Sequence, residues 1–138
     1  MINDKVLDIA EKWIGTPYHH QASLYKEGCD CLGLVRGIWR ELYGWEPLDL
    51  PNYSPQWGDL DQSERLLKAA NKYFKKADEL LPGNVILLYV RRSKSAKHCA
   101  IVDYRDRMIH SYIGRGVVRT SIGNWYRHIA GIYSFPEK

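Results

Sequence analysis

Cys31 is the residue whose type and position together suggest chemistry. Asp30 before it is a favoured helix N-cap, and Leu34, Val35, Ile38, Trp39 and Leu42 follow at helical spacing until Gly44 stops the pattern. The cysteine therefore opens a helix, where unpaired N–H groups and the helix dipole favour a thiolate. A free cysteine on an apolar helix is also a common core residue, and this segment alone leaves both readings open.

A thiolate nucleophile needs a base, and the base needs a group to orient it. His98 and His110 both fall in strand-like stretches, on either side of the turn Arg105-Asp106-Arg107. Opposed residues of a hairpin have a constant numerical sum, so the two histidines share a sheet face only if that sum is even. An even sum requires a loop of odd length; a two-residue turn would put them on opposite faces. Without such a pairing each is simply a half-buried strand residue.

The elements that must hold these groups can be read along the chain. Val6, Ile9, Ala10 and Trp13 define a first amphipathic helix, with Asn3 as its cap and Gly15 past its end. Residues 16–28, with Pro17 and paired histidines, read as a loop. Residues 44–60 contain Pro47, Pro51 and Pro55 with Trp45, Tyr53 and Trp57 between them, which reads as an irregular packed loop. Asp61 and Glu64 resemble a capping box for a third helix carrying Leu66, Leu67, Ala70, Tyr73, Phe74 and Ala77. After Pro82-Gly83 the period changes, and strands are expected at 85–91, 98–104, 108–113, 117–120 and 129–135. Helices first and strands second indicate an α+β fold, its N-terminal helices packed on an antiparallel sheet of about five strands.

Composition narrows the class. A chain of 138 residues that is 45% hydrophobic and 26% charged fits one globular domain, read here as 1–138 without repeats or linkers. The longest purely apolar run, residues 85–90, is far short of the ~20 needed to span a bilayer, so no membrane insertion is expected. A net charge of +4 decides little. Three cysteines, two of them at 29 and 31, do not form a disulfide framework, and free thiols are the default.

Taken together, Gly15-Thr16-Pro17-Tyr18, Asp30-Cys31-Leu32-Gly33-Leu34-Val35, Pro82-Gly83-Asn84-Val85, His98-Cys99-Ala100-Ile101 and Ile109-His110 resemble the NlpC-type cell-wall peptidases. These are papain-like cysteine peptidases that cleave peptidoglycan stem peptides. Within that family the wording GTPY-HHQAS and GCDCLGLVRGIWRELYG is most similar to the small single-domain version of phage tails and gene transfer agents. The resemblance implies a papain-like fold, with Cys31 as nucleophile, His98 as general base and His110 orienting the His98 ring. It implies that Tyr18 stabilises the oxyanion together with the Cys31 backbone N–H. Asp30 and His19 are the candidate substrate contacts; the plain readings are a helix cap for Asp30 and an exposed loop residue for His19. No cofactor and no metal is implied. The implied bond lies between γ-D-glutamate and diaminopimelate. Leu32 stands where Ser is usual, Asn84 where Asp is usual, and His20-Gln21-Ala22 occupy a loop that usually has Gly-Gly.

Other readings make different demands. A zinc site from Cys29, Cys31, His98 and Cys99 has poor spacing, and adjacent strand residues point to opposite faces; Cys29 and Cys99 are assigned to packing. Nucleic-acid binding would use Lys72-Tyr73-Phe74-Lys75-Lys76 and Arg91-Arg92-Ser93-Lys94, but in the first run the aromatics fit a buried helix face and leave the lysines as a solvated rim. A third reading keeps the fold without the enzyme, as a tail protein that binds peptidoglycan without cutting it. His128 has no assigned role. The terminus MINDKVLD has no apolar stretch of a secretory leader, so the chain is expected to be made in the cytoplasm and carried to its substrate among phage-like tail or tail-tip proteins.

Overall fold

In the computed structural model, which describes residues 1–47, 60–89 and 96–137, the apolar stripe of Val6, Ala10 and Trp13 forms the buried face of helix α1 (Ile2–Trp13). A two-residue hairpin, β1 (Ser23–Leu24) and β2 (Gly28–Cys29), interrupts the loop expected over 16–28. Helix α2 (Cys31–Tyr43) begins and ends where the sequence places it. Asp30 is its N-cap and accepts from Gly33 N, and Gly44 ends it at φ 79°, the left-handed geometry that glycine adopts without a Cβ penalty. Helix α3 (Leu60–Tyr73) follows.

Six strands then form one sheet: β3 (Lys75–Lys76), β4 (Val85–Tyr89), β5 (Ala96–Val102), β6 (Arg107–Tyr112), β7 (Gly116–Ser121) and β8 (Ile129–Ser134), in the order β3-β8-β4-β5-β6-β7. Its pairings are antiparallel. A 3₁₀ turn at Gly123–His128 links β7 to β8.

Two expectations are corrected. Asn3 is not a cap: Met1 occupies that position, and Asn3 Nδ2 donates instead to Pro82 O at 2.9 Å and to Asn84 Oδ1 at 3.1 Å. This ties α1 to the turn before β4. The sheet has six strands rather than five because α3 stops at Tyr73 instead of continuing through Ala77, and Lys75 and Lys76 pair with Ser134 and Tyr133. Tyr73 at the helix end and Phe74 just past it pack against Trp39, their rings 6.1 and 5.4 Å from it. The Asp61 and Glu64 side chains, Pro51, Tyr53, Pro55, Trp57 and the Arg91-Arg92-Ser93-Lys94 run lie outside the described residues.

The sheet has two apolar faces. Val85, Leu87, Cys99, Ile101, Ile109 and Val117 pack under the helices with Leu34, Ile38 and Trp39. On the other face Ile86, Leu88, Ala100, Val102, Met108 and Ile122 form a smaller cluster, joined by Trp125 of the 3₁₀ turn. Gly37 lets α2 approach α1 closely, because a Cβ there would overlap the Trp13 ring. No described helix is long and apolar enough to cross a membrane.

Candidate active site

The segment leading into Cys31 is held from three sides. Val117 of β7 accepts from Gly15 N at 3.0 Å and donates to Thr16 O at 2.8 Å. Cys29 N donates to Pro17 O at 3.0 Å and Cys29 O accepts from His19 N at 3.1 Å, which sets Tyr18 beside Cys29 in a parallel bridge. Ser111 Oγ on β6 donates to the same Cys29 carbonyl at 2.7 Å. Asp30 closes the arrangement: its Oδ1 accepts from Gly33 N at 2.7 Å and its Oδ2 from Gln21 N at 2.6 Å. Gly33 is required here, since a Cβ would overlap the Ala22 carbonyl oxygen.

The histidines come from the sheet. Ile101 opposes Ile109 and Val102 opposes Met108, so the hairpin sum is even and its loop odd, which is the condition for the two histidines to share a face. Extending that register would set His98 opposite Tyr112 and His110 opposite Ala100, making the imidazoles diagonal neighbours on one face. Their rings meet there, with His98 Nε2 and His110 Nδ1 2.7 Å apart. Both are buried. The Trp125 ring lies 5.5 Å from that of His98, tilted 32° to it.

These groups bias one another's protonation. A hydrogen bond from the Cys99 thiol, the positive charge and hydrogen bond of His98, and the Cys99 backbone N–H hold the Cys31 thiol well below its ordinary value, against the opposing effect of burial. Cys99 is raised in turn, because its proton is held against Cys31. Burial pushes Cys29 up to about 12. It lowers His110 to about 3, with the charges of His98 and Arg115 acting in the same direction. Burial also raises Tyr18 to about 12, and negative charge at Cys31 and Asp30 adds to the effect.

The structure thus brings Cys31, His98 and His110 into one connected group, with Tyr18 close enough to feel the Cys31 charge. It treats the two substrate candidates differently. Asp30 is 2% exposed with both carboxylate oxygens accepting backbone N–H groups, so it does the work of a cap. His19 is exposed on the loop and covers Gly28. The unusual Leu32 and Asn84 have local explanations: Leu32 is buried in the helix-side core, and Asn84 accepts from Asn3 and donates to Glu79 O at 2.9 Å. Cys29 and Cys99 are buried as packing residues, although Cys99 also touches Cys31.

Sequence reasoning passed over Thr120, whose Oγ1 lies 3.0 Å from His110 Nε2, and Trp125 beside His98. The hairpin parity rule would have found Thr120: Met108 opposes Thr120 and His110 opposes Val118, so Thr120 and His110 share a face. Trp125 reaches the site through a 3₁₀ turn and has no such signal. Among the described residues no group of three or more His, Cys, Asp or Glu is placed to hold a metal ion. Chemically, the arrangement is that of an activated thiol with an adjacent imidazole pair.

Comparison with known proteins gives concordant matches. The family model described as the NlpC/P60 family matches residues 15–132. The probable endopeptidase NlpC of Escherichia coli strain K12 is 28% identical over 120 residues, covering 86% of this chain and 68% of that protein. Among solved structures, NlpC1 from Trichomonas vaginalis superposes with a TM-score of 0.70 at 16% identity over 99% of this chain. The NlpC/p60 domain of the peptidoglycan hydrolase SagA gives 0.65 at 18% identity, covering 98% of this chain and all of that domain. These structural likenesses concern the fold. The chain spans 45% of the Trichomonas vaginalis protein's length.

Proposed function

This chain belongs to the NlpC/P60 family, and on that premise we propose that it is a cysteine endopeptidase of peptidoglycan stem peptides. The observation that carries the reading is the coupling of a lowered Cys31 thiol to the His98–His110 pair at a helix start. His98 Nε2 is taken up by His110, which leaves Nδ1 as the nitrogen that serves Cys31.

In the proposed reaction His98 removes the Cys31 proton and the thiolate attacks the scissile carbonyl carbon, converting it to a tetrahedral adduct. The Tyr18 hydroxyl and the Cys31 N–H, one of the unpartnered donors at the helix start, stabilise the oxyanion. The adduct collapses as His98 returns the proton to the leaving amine, giving a thioester on Cys31. Water, deprotonated by His98, then hydrolyses the thioester and restores the thiol. By the family resemblance the bond is that between γ-D-glutamate and diaminopimelate.

Mass spectrometry of muropeptides digested by the wild type and by Cys31→Ala tests the reading and identifies the bond. Release of stem-peptide fragments by the wild type alone is expected; equal release by both proteins rejects the cysteine mechanism. The GTPY-HHQAS and GCDCLGLVRGIWRELYG wording supports a further reading, that a phage-like tail carries the enzyme to the wall. Co-purification with such particles is the expected result, and a protein found only free in the cytosol rejects it.

A further inference from the structure

Three side chains from three neighbouring strands form a line across one sheet face: His98 on β5, His110 on β6 and Thr120 on β7. The contacts are His98 Nε2 to His110 Nδ1 at 2.7 Å and His110 Nε2 to Thr120 Oγ1 at 3.0 Å. Each His110 nitrogen therefore has one partner, and the partners determine which nitrogen carries hydrogen.

When His98 holds the Cys31 proton, both of its ring nitrogens carry hydrogen, and its Nε2–H must donate to His110. His110 Nδ1 then has to be a bare acceptor. His110 is neutral at ordinary pH, so its single hydrogen sits on Nε2, and that N–H needs an acceptor. At 3.0 Å the Thr120 hydroxyl oxygen supplies it. The opposite tautomer would point an Nδ1–H at His98 Nε2–H, donor against donor.

We infer that Thr120 is a positioning residue, which holds His110 in the Nε2–H tautomer and through it keeps His98 able to accept the Cys31 proton. This rests on the peptidase reading for its consequence in turnover, but the tautomer itself is independent of any substrate.

The test uses the full chain and two variants, Thr120→Val, which keeps the shape and removes the hydroxyl, and Thr120→Ser, which keeps the hydroxyl. Nitrogen-15 spectra of the imidazoles, recorded with His98 neutral so that it no longer selects the tautomer by itself, are expected to show His110 as Nε2–H in the wild type and Thr120→Ser, and to lose that signature in Thr120→Val. Alkylation of Cys31 by iodoacetamide across pH follows the thiolate directly. Its acid limb should move up by about one pH unit in Thr120→Val, the size of one ordinary hydrogen bond, and return to the wild-type position in Thr120→Ser. On muropeptides kcat should fall about tenfold in Thr120→Val with KM unchanged. An Nε2–H His110 in Thr120→Val with His98 neutral, or a Thr120→Ser protein that behaves like Thr120→Val, overturns the inference. A wild type inactive on muropeptides would reject the peptidase reading alone, since the spectra and the alkylation profile would still report on Thr120.

Discussion

The hydroxyl of Ser111 donates to the carbonyl of Cys29 at 2.7 Å, joining the residue next to His110 with the residue two before Cys31. Ser111 is 1% exposed, so this bond is sheltered from water. It fixes how far the helix start at Cys31 stands from the histidine strands.

Replacing Ser111 with Ala should therefore affect stability and turnover together. Loss of a buried donor to a backbone carbonyl costs about 1–3 kcal/mol, less whatever the His19 N–H contact to the same oxygen retains. Urea unfolding should show that loss, and kcat/KM on muropeptides should fall more than Ser111→Thr makes it fall, because the threonine keeps the hydroxyl. A Ser111→Ala protein as stable and as active as the wild type would show that the contact does not hold the site together.

The three thiols should separate clearly in reactivity. Cys31 is held well below its ordinary value by Cys99 and His98, burial pushes Cys29 up to about 12, and Cys99 is raised by its contact with Cys31. At pH 6 to 7 iodoacetamide should modify Cys31 first, with Cys29 and Cys99 untouched in the folded protein. Peptide mapping after partial alkylation gives the order directly. In Cys31→Ala, no residue should take over the fast reaction.

His110 makes stability depend on acid. Its folded value of about 3 lies below the ordinary 6.5, chiefly through burial, with the charges of His98 and Arg115 contributing. Between those values the unfolded chain binds a proton that the folded chain refuses, so stability rises with pH. The contribution is complete above 6.5 and is lost as pH falls toward 3, to a ceiling of roughly 5 kcal/mol. Urea midpoints at pH 7.5, 5.5 and 4 should fall more steeply for the wild type than for His110→Asn, which has no ring to protonate. Parallel slopes for the two proteins would remove His110 as the cause.

Much of this was legible in the sequence because the signals were local. Asp30 and Gly44 mark the ends of α2, and hairpin parity states in advance what the His98–His110 contact requires. What escaped was set by tertiary demand. Asn3 has the residue type of a cap, but the turn at Pro82 and Asn84 recruits its amide; Lys75 and Lys76 look helical until the edge of β8 offers them a ladder. Asp30 shows the limit from the other side. Its identity suits either a cap or an amine-binding group, and the two backbone N–H groups converging on its oxygens, the contacts of a cap, come from a loop and a helix start that no local pattern brings together.

Tyr18 gives the most direct test of how the oxyanion is held. Burial and the neighbouring charges of Cys31 and Asp30 push its phenol up to about 12, so at neutral pH it keeps its proton and remains a donor. Tyr18→Phe removes that donor while leaving the aromatic ring and the backbone bridge to Cys29. Removal of one oxyanion donor typically lowers kcat by about 10²–10³. That is the expected loss, with KM little changed and with Cys31 alkylated at a near wild-type rate, since the thiol depends on His98 and Cys99 rather than on the phenol. A kcat within a few-fold of wild type would assign oxyanion stabilisation to the helix-start N–H groups alone, whereas a parallel collapse of the alkylation rate would show that Tyr18 acts on the thiol and not on the adduct.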